Sequence, residues 1–133
     1  MILELVNSNT QTVASGNKLN LGAINIKECS NGSVVYNGTD TITFRQNGIY
    51  QVITKVNAIS TVATQLLEYA ISYDGTVSNI ANAGAYAVDT DQLYTLVIPK
   101  KIKICNAPLS ISLVNSGTDT TDYQGLIVDI SRG

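Results

Sequence analysis

Apolar and polar residues alternate one for one along much of the chain. Ile42 and Phe44 alternate with Thr41, Thr43 and Arg45, and Tyr50, Val52, Val56 and Ala58 alternate with Gln51, Lys55 and Asn57. Ile24 and Ile26, then Leu109, Ile111 and Leu113, then Leu126, Val128 and Ile130, repeat the rhythm. A period of two sends successive side chains to opposite faces, which predicts strands with one face buried and one wet. The runs are rich in Thr, Val, Ile and Tyr, residues that suit a pleated surface. The pattern predicts strands near 2–6, 23–28, 33–36, 41–46, 49–59, 66–73, 78–88, 93–105 (bent or broken around Pro99), 109–115 and 125–131.

Turn chemistry supports this. Asn31-Gly32, Asn37-Gly38, Asn47-Gly48 and Asp74-Gly75 reach positive φ cheaply, as tight hairpins require. Ser15-Gly16 and Ser116-Gly117 are weaker punctuation. One segment is ambiguous, because Ile59, Val62, Ala63, Leu66, Leu67, Ala70 and Ile71 also fit a helix face. The strand reading is preferred: Ile-Ser-Thr-Val is a poor helix start, and the segment closes on Asp74-Gly75. No linker, charge block or internal repeat divides the chain, so residues 1–133 are expected to form one all-β domain. About ten short antiparallel strands on one core suggest a jelly-roll sandwich.

Composition narrows the function. Of 133 residues, 44% are hydrophobic and only 14% charged, with a net charge of −2. Eight Lys and Arg are too few and too scattered to displace counterions from a nucleic acid. With no His, imidazole base catalysis and imidazole metal ligation are excluded. No apolar run is long enough to span a membrane as a helix. The opening Met1 to Val6 lacks a basic region and a long apolar core, so no secretory signal is expected. Cys29 and Cys105 make no disulfide framework; free thiols are preferred over a single bridge. Many outward positions carry Thr, Ser, Asn or Ala instead of Lys or Glu, the look of a subunit interface.

The run from Thr41 to Val52, with Phe44 leading into Gly48-Ile49-Tyr50, resembles the complement-C1q and tumour-necrosis-factor-like superfamily. There a strand ending in Phe precedes a Gly-x-Tyr that opens a long central strand. Gln124-Gly125-Leu126-Ile127 is similar to the approach to that family's last strand, and Leu109 to Gly117 to its penultimate strand and loop. The resemblance spans roughly residues 20–131. It is nearest to bacterial and phage members, such as the C-terminal heads of collagen-like spore-surface glycoproteins, which share the Thr-, Asn-, Ala- and Ile-rich, Trp-free composition. It implies a ten-stranded jelly roll assembled as a tight homotrimer, with apolar and aromatic residues along the threefold axis. No Gly-X-Y stalk precedes the head, which favours a stand-alone virion protein over a stalked adhesin. Phe44, Gly48, Tyr50, Gly125 and Leu126 are then structural. Gly48 allows the turn, Tyr50 fills the core while needing a hydroxyl partner, and Gly125 lets the last strand pass close to a neighbour.

Candidate chemistry is sparse. Asp89 and Asp91 flank Thr90, and oxygen-rich loops can hold Ca²⁺. The pattern lacks the Gly and Glu of a calcium loop, so solvated carboxylates are preferred and no cofactor is expected. Asp119 and Asp122 sit in a second such loop. The spacing of the carboxylates selects no glycosidase pair, and no enzyme is expected. Lys100, Lys101 and Lys103 form the one basic cluster, read as a charged edge against aggregation or as a contact to an acidic partner. Asn31-Gly32-Ser33 and Asn37-Gly38-Thr39 match the glycosylation sequon, but turn chemistry explains both. Tyr86, Tyr94 and Tyr123 are candidate glycan contacts, since aromatic faces stack on sugars. The expected role is therefore a non-enzymatic trimeric structural or attachment module: a phage decoration, head-fibre or fibre-tip protein, or a bacterial surface head. Its partners would be its own copies, phage capsid or tail proteins, or a host surface glycan, with no nucleic acid and no membrane. Its place would be the virion or the cell surface. The alternative is a carbohydrate-binding module of the same fold.

Overall fold

The alternation is realised strand by strand in a computed structural model that describes residues 1–28 and 32–133. Ten strands follow in order: β1 (Leu3–Val13), β2 (Ala23–Lys27), β3 (Val34–Tyr36), β4 (Ile42–Phe44), β5 (Gly48–Ile59), β6 (Gln65–Tyr73), β7 (Thr76–Ala87), β8 (Leu93–Ile104), β9 (Leu109–Asn115) and β10 (Thr121–Arg132). They pair antiparallel into two five-stranded sheets, one ordered β2-β1-β10-β5-β8 and the other β3-β4-β9-β6-β7. The ambiguous middle segment is a strand, as the propensity of its start predicts. No described residue is helical, so no helix is long and apolar enough to cross a membrane.

Between the sheets lies one continuous core. Leu5, Val52, Val56, Val128 and Ile130 fill it from the first sheet, and Phe44, Leu67, Tyr69, Ile71 and Ile111 from the second. A polar pair between the sheets is satisfied: the Tyr69 and Thr54 hydroxyls hydrogen-bond at 2.7 Å. Burial pushes the Tyr69 hydroxyl up to about 12, so it stays protonated at physiological pH.

The two flanks of the sandwich differ. On one side the connection from β1 to β2 doubles back across the gap. Its Leu19 amide donates to the Leu113 carbonyl and its Leu21 amide to Thr39, extending the second sheet beside β4. Leu19 and Leu21 are fully buried and seal that flank. On the other side β8 and β7 are both edge strands, and no such segment covers them.

Where structure and pattern differ, the reasons are local. β1 runs on to Val13 and β10 starts at Thr121, pairing with each other through a register shift between Asn7 and Thr10. Those stretches carry few apolar residues, so their alternation was silent. Asp74-Gly75 is a two-residue hairpin turn joining β6 and β7, as expected. Asn47-Gly48 is not a hairpin: it carries the chain from β4 in one sheet to β5 in the other. Asn37-Gly38 belongs to a longer loop, in which the Asn37 Oδ1 accepts from the amides of Thr39, Asp40 and Thr41. The Asn31-Gly32 turn and its sequon involve Asn31, outside the described residues, as is Cys29. Cys105 is exposed and free.

Candidate functional site

The Phe44–Tyr50 motif lies in the core. The two rings pack with centroids 4.7 Å apart, and the Arg132 guanidinium sits 5.7 Å from the Tyr50 ring centre. The Tyr50 hydroxyl donates to the Gln46 carbonyl at 2.8 Å, which supplies the partner that a buried tyrosine needs. Gly48 adopts a φ of 152°, a conformation that L side chains rarely take, as the chain swings between sheets.

Gly125 acts differently from the expectation. A Cβ there would meet only the Asn57 side chain, at 3.5 Å, so close approach is not what glycine provides. Its φ of +88° instead sits at a β-bulge, where the β10–β5 register jumps between Tyr123 and Leu126. The extra residue inverts parity. Tyr123 and Leu126 therefore both face the core, although an odd interval separates them. This corrects the glycan reading of Tyr123, which is 1% exposed. Its hydroxyl donates to the Glu68 carbonyl at 3.3 Å. Tyr94 lies opposite Ala58 and is half-buried against the core, whereas Tyr86 is exposed and pairs with Leu66 on the second sheet. The three tyrosines form no shared platform.

Four loops gather at one pole: residues 14–17, 60–64, 88–92 and 116–120. They are pinned by buried amide side chains. Gln65 accepts from the Thr61 amide and donates to the Thr120 carbonyl and the Thr121 hydroxyl. Asn115 donates to the carbonyls of Val13 and Asp119 and accepts from the Gly117 amide. Neither residue was singled out from sequence, because a polar residue in an alternating strand reads as outward. Asp89 and Asp91 are exposed at this pole. The Asp89 carboxylate accepts from the Thr90 amide at 3.1 Å, and its carbonyl accepts from the Ser60 hydroxyl. Among the described residues no group of three or more His, Cys, Asp or Glu side chains converges there. Asp119 and Asp122 are likewise engaged locally, accepting from the hydroxyls of Thr118 and Thr12.

The outer face of the first sheet carries the more unusual chemistry. Ile53, Val97 and Leu93 stand exposed on β5 and β8, at 38%, 48% and 52%. Val6 and Ile127 add apolar side chains on β1 and β10, with Lys55 standing between Ile127 and Val97, beside a shallow dimple at the bulge lined by Asn7, Lys55 and Asn57. In the next row Glu4 and Asp129 are direct cross-strand partners. Their carboxyl groups hydrogen-bond to each other, Asn25 donates to Glu4 at 2.7 Å, and the buried Oδ1 of Asp129 has no partner. Burial, then the hydrogen bond and charge of Glu4, push the Asp129 carboxyl up to about 6, while its hydrogen bonds hold Glu4 below the usual range. Folded Asp129 thus keeps a proton that the unfolded chain releases near pH 4. Folded protein binds more protons in that window, so stability falls as pH rises from about 4 to about 6. Thermal melts across this range are expected to show that slope, and Asp129→Asn is expected to flatten it and to melt higher than the native chain at pH 7.

No protein-family model and no curated protein matches the sequence. Solved structures match its fold. A TNF of S. frugiperda, Eiger, superposes with a TM-score of 0.73 at 7% identity, covering 99% of this chain and 92% of that one. The globular domain of zebrafish complement 1qA reaches 0.65 at 6% identity, covering 98% of both chains. Murine APRIL reaches 0.60 at 12% identity, covering 94% of this chain and 95% of its own. The chain is an all-β jelly roll of the TNF and C1q type, as the Phe44–Tyr50 and Gly125 motifs implied.

Proposed function

We propose that residues 1–133 act as one non-enzymatic head that assembles as a homotrimer and presents its pinned loops as a structural or attachment module on a virion or bacterial surface. The observation that carries this is the set of apolar side chains, Val6, Ile127, Ile53, Val97 and Leu93, grouped around Lys55 on the outer face of a sheet whose other face already fills a core. A chain of low charge that leaves such side chains wet gains by covering them, and a second copy is the partner that a TNF/C1q-type head suggests. Burial contributes roughly 25 cal/mol per Å², and obligate interfaces commonly exceed about 2,000 Å². Three copies related by one axis need a heterologous contact, and the exposed β7–β8 flank, with Tyr86 and Val88 at the loop pole, supplies a second apolar patch. The composition, poor in charge and rich in Thr, Asn, Ala and Ile, favours a virion decoration, head-fibre or fibre-tip protein among such heads.

An enzymatic role has no support in the geometry. Glu4 and Asp129 are the acids brought together on the sheet face, yet they hydrogen-bond directly, whereas a glycosidase pair stands about 5–10 Å apart across the sugar. Light scattering after size exclusion is expected to give three times the 14.2 kDa chain mass. Val97→Asp, at an exposed position, is expected to give a folded monomer with its β-sheet circular dichroism intact. A native chain that stays at 14.2 kDa at micromolar concentration would overturn the proposal.

A further inference from the structure

We infer that the cleft between the hairpin end of β6–β7 and the Lys100–Lys103 stretch of β8 is a binding site for an oxyanion on a small ligand, the carboxylate of a sugar acid or a sulfate or phosphate group. The cleft lies on the uncovered flank, at the end away from the loop pole, and encloses about 370 Å³, within the usual range of about 300–1,000 Å³ for small-molecule sites.

Its charged residues are all lysines, and Tyr73 and Ser78 add hydroxyls. Lys100 stands opposite buried Val52 on β5, so strand parity turns its side chain inward between the sheets. Lys101 and Lys103 border the cleft from the same strand, with strand parity turning them toward the outer face. Across from them the Tyr73 hydroxyl is buried and makes no hydrogen bond. Ser78 accepts from the amides of Ile80 and Ala81, which leaves its own hydroxyl proton to donate. No carboxylate lines the cleft, and among the described residues none of the three lysines has an ion-pair partner. The nearest acid in sequence, Asp74, has one oxygen engaged by the Ser110 amide. Natural proteins rarely leave a buried hydroxyl unpaired, and such a group marks a place where a ligand completes the bonding. An edge protected only against aggregation explains outward Lys101 and Lys103; it does not explain Lys100, turned inward at a cleft that Tyr73 also lines. Lysine charge with no counter-charge in the lining selects an anion, and the apolar wall offered by Ile80 suits the carbon body that carries it.

The cleft lies at the end of the β7–β8 flank away from Tyr86 and Val88, the part of that flank proposed for assembly. The test compares the native chain with Tyr73→Phe and Lys100→Gln, titrated with glucuronate, inorganic sulfate and inorganic phosphate, and read by NMR shifts and thermal melts. The native chain is expected to bind at least one of the three saturably, more weakly as NaCl is raised. Whichever probe binds names the source, carboxylate or tetrahedral anion. Tyr73→Phe is expected to melt no lower than the native chain without ligand, because it removes a hydroxyl that bonds nothing, yet to bind about ten- to a hundredfold more weakly. Lys100→Gln is expected to lose affinity comparably. Absence of saturable binding to all three probes would overturn the inference. So would undiminished affinity in both variants, or shifts that follow protein concentration instead of ligand, which would assign the cleft to a carboxylate of a second copy.

Discussion

Replacing Asn115 by Ala is expected to remove about 3–5 kcal/mol of stability, a large share of the roughly 5–15 kcal/mol that holds a domain folded. The Asn115 side chain is fully buried, and its three hydrogen bonds reach Val13, Gly117 and Asp119. It thereby ties the end of β1 to the loop between β9 and β10. Ala would leave two carbonyls and an amide without their partner in a place water cannot readily enter. Asn37→Ala is the informative comparison. Asn37 also accepts from three amides, but it is exposed, so water can replace its carbonyl oxygen. Its loss is expected to cost about 1 kcal/mol. Urea denaturation of both variants, at a protein concentration where assembly is unchanged, measures the two. Equal losses would show that the count of hydrogen bonds matters and their burial does not.

A second large effect is expected at Gly22, where the sealing segment passes against β1. Its φ is +84°, and a Cβ would lie 2.2 Å from the Val6 carbonyl oxygen and 2.7 Å from the Asn7 Cα. Both obstacles are backbone within a paired strand, so relief requires moving either β1 or the segment that carries Leu19 and Leu21. The Tyr36 hydroxyl, which donates to the Gly22 carbonyl at 2.7 Å, resists that movement. Gly22→Ala is therefore expected to cost about 3 kcal/mol or more, or to abolish soluble expression. Gly16 separates backbone conformation from collision. Its φ is +88°, yet a Cβ there meets nothing within 4 Å. Gly16→Ala is expected to cost only about 1 kcal/mol, the strain of a left-handed alanine. Thermal melts of the pair check this, and a Gly22 variant as stable as its Gly16 counterpart would refute the steric account.

Most of this architecture could be read from period and turn chemistry, because wherever Ile, Val and Leu mark the inner face the alternation is unambiguous. It failed where strands are built from polar residues. Thr10 to Val13 pair with Gln124 to Thr121 beyond the register shift at Asn7, but few apolar side chains announce their inner face. Tyr123 shows a second limit: one bulge residue exchanges inside for outside, and Gln124-Gly125 gave no sign of which parity held before it. The carboxyl pair was hidden for a different reason. Glu4 and Asp129 lie at opposite ends of the sequence, and only the pairing of the first strand with the last makes them neighbours. Lys100 illustrates the reverse. The cluster was visible, and it took the observed pairing of β8 with β5 to show Lys100 on the inward parity, opposite Val52, while its neighbours point out.

The pairing of β1 with β10 also fixes how the head can be tethered. Leu3 sits across from Ile130, the Ile2 amide donates to the Ile130 carbonyl, and the Gly133 amide donates to Ile49. Both ends of the chain therefore emerge side by side, opposite the four gathered loops. A stalk, anchor or reporter joined at either end would hang from the same base and leave those loops pointing away from it. A short bridge from Gly133 to Met1 would close the chain into a ring, so the backbone could be reopened at an exposed turn such as Asp74-Gly75 with every strand neighbour preserved.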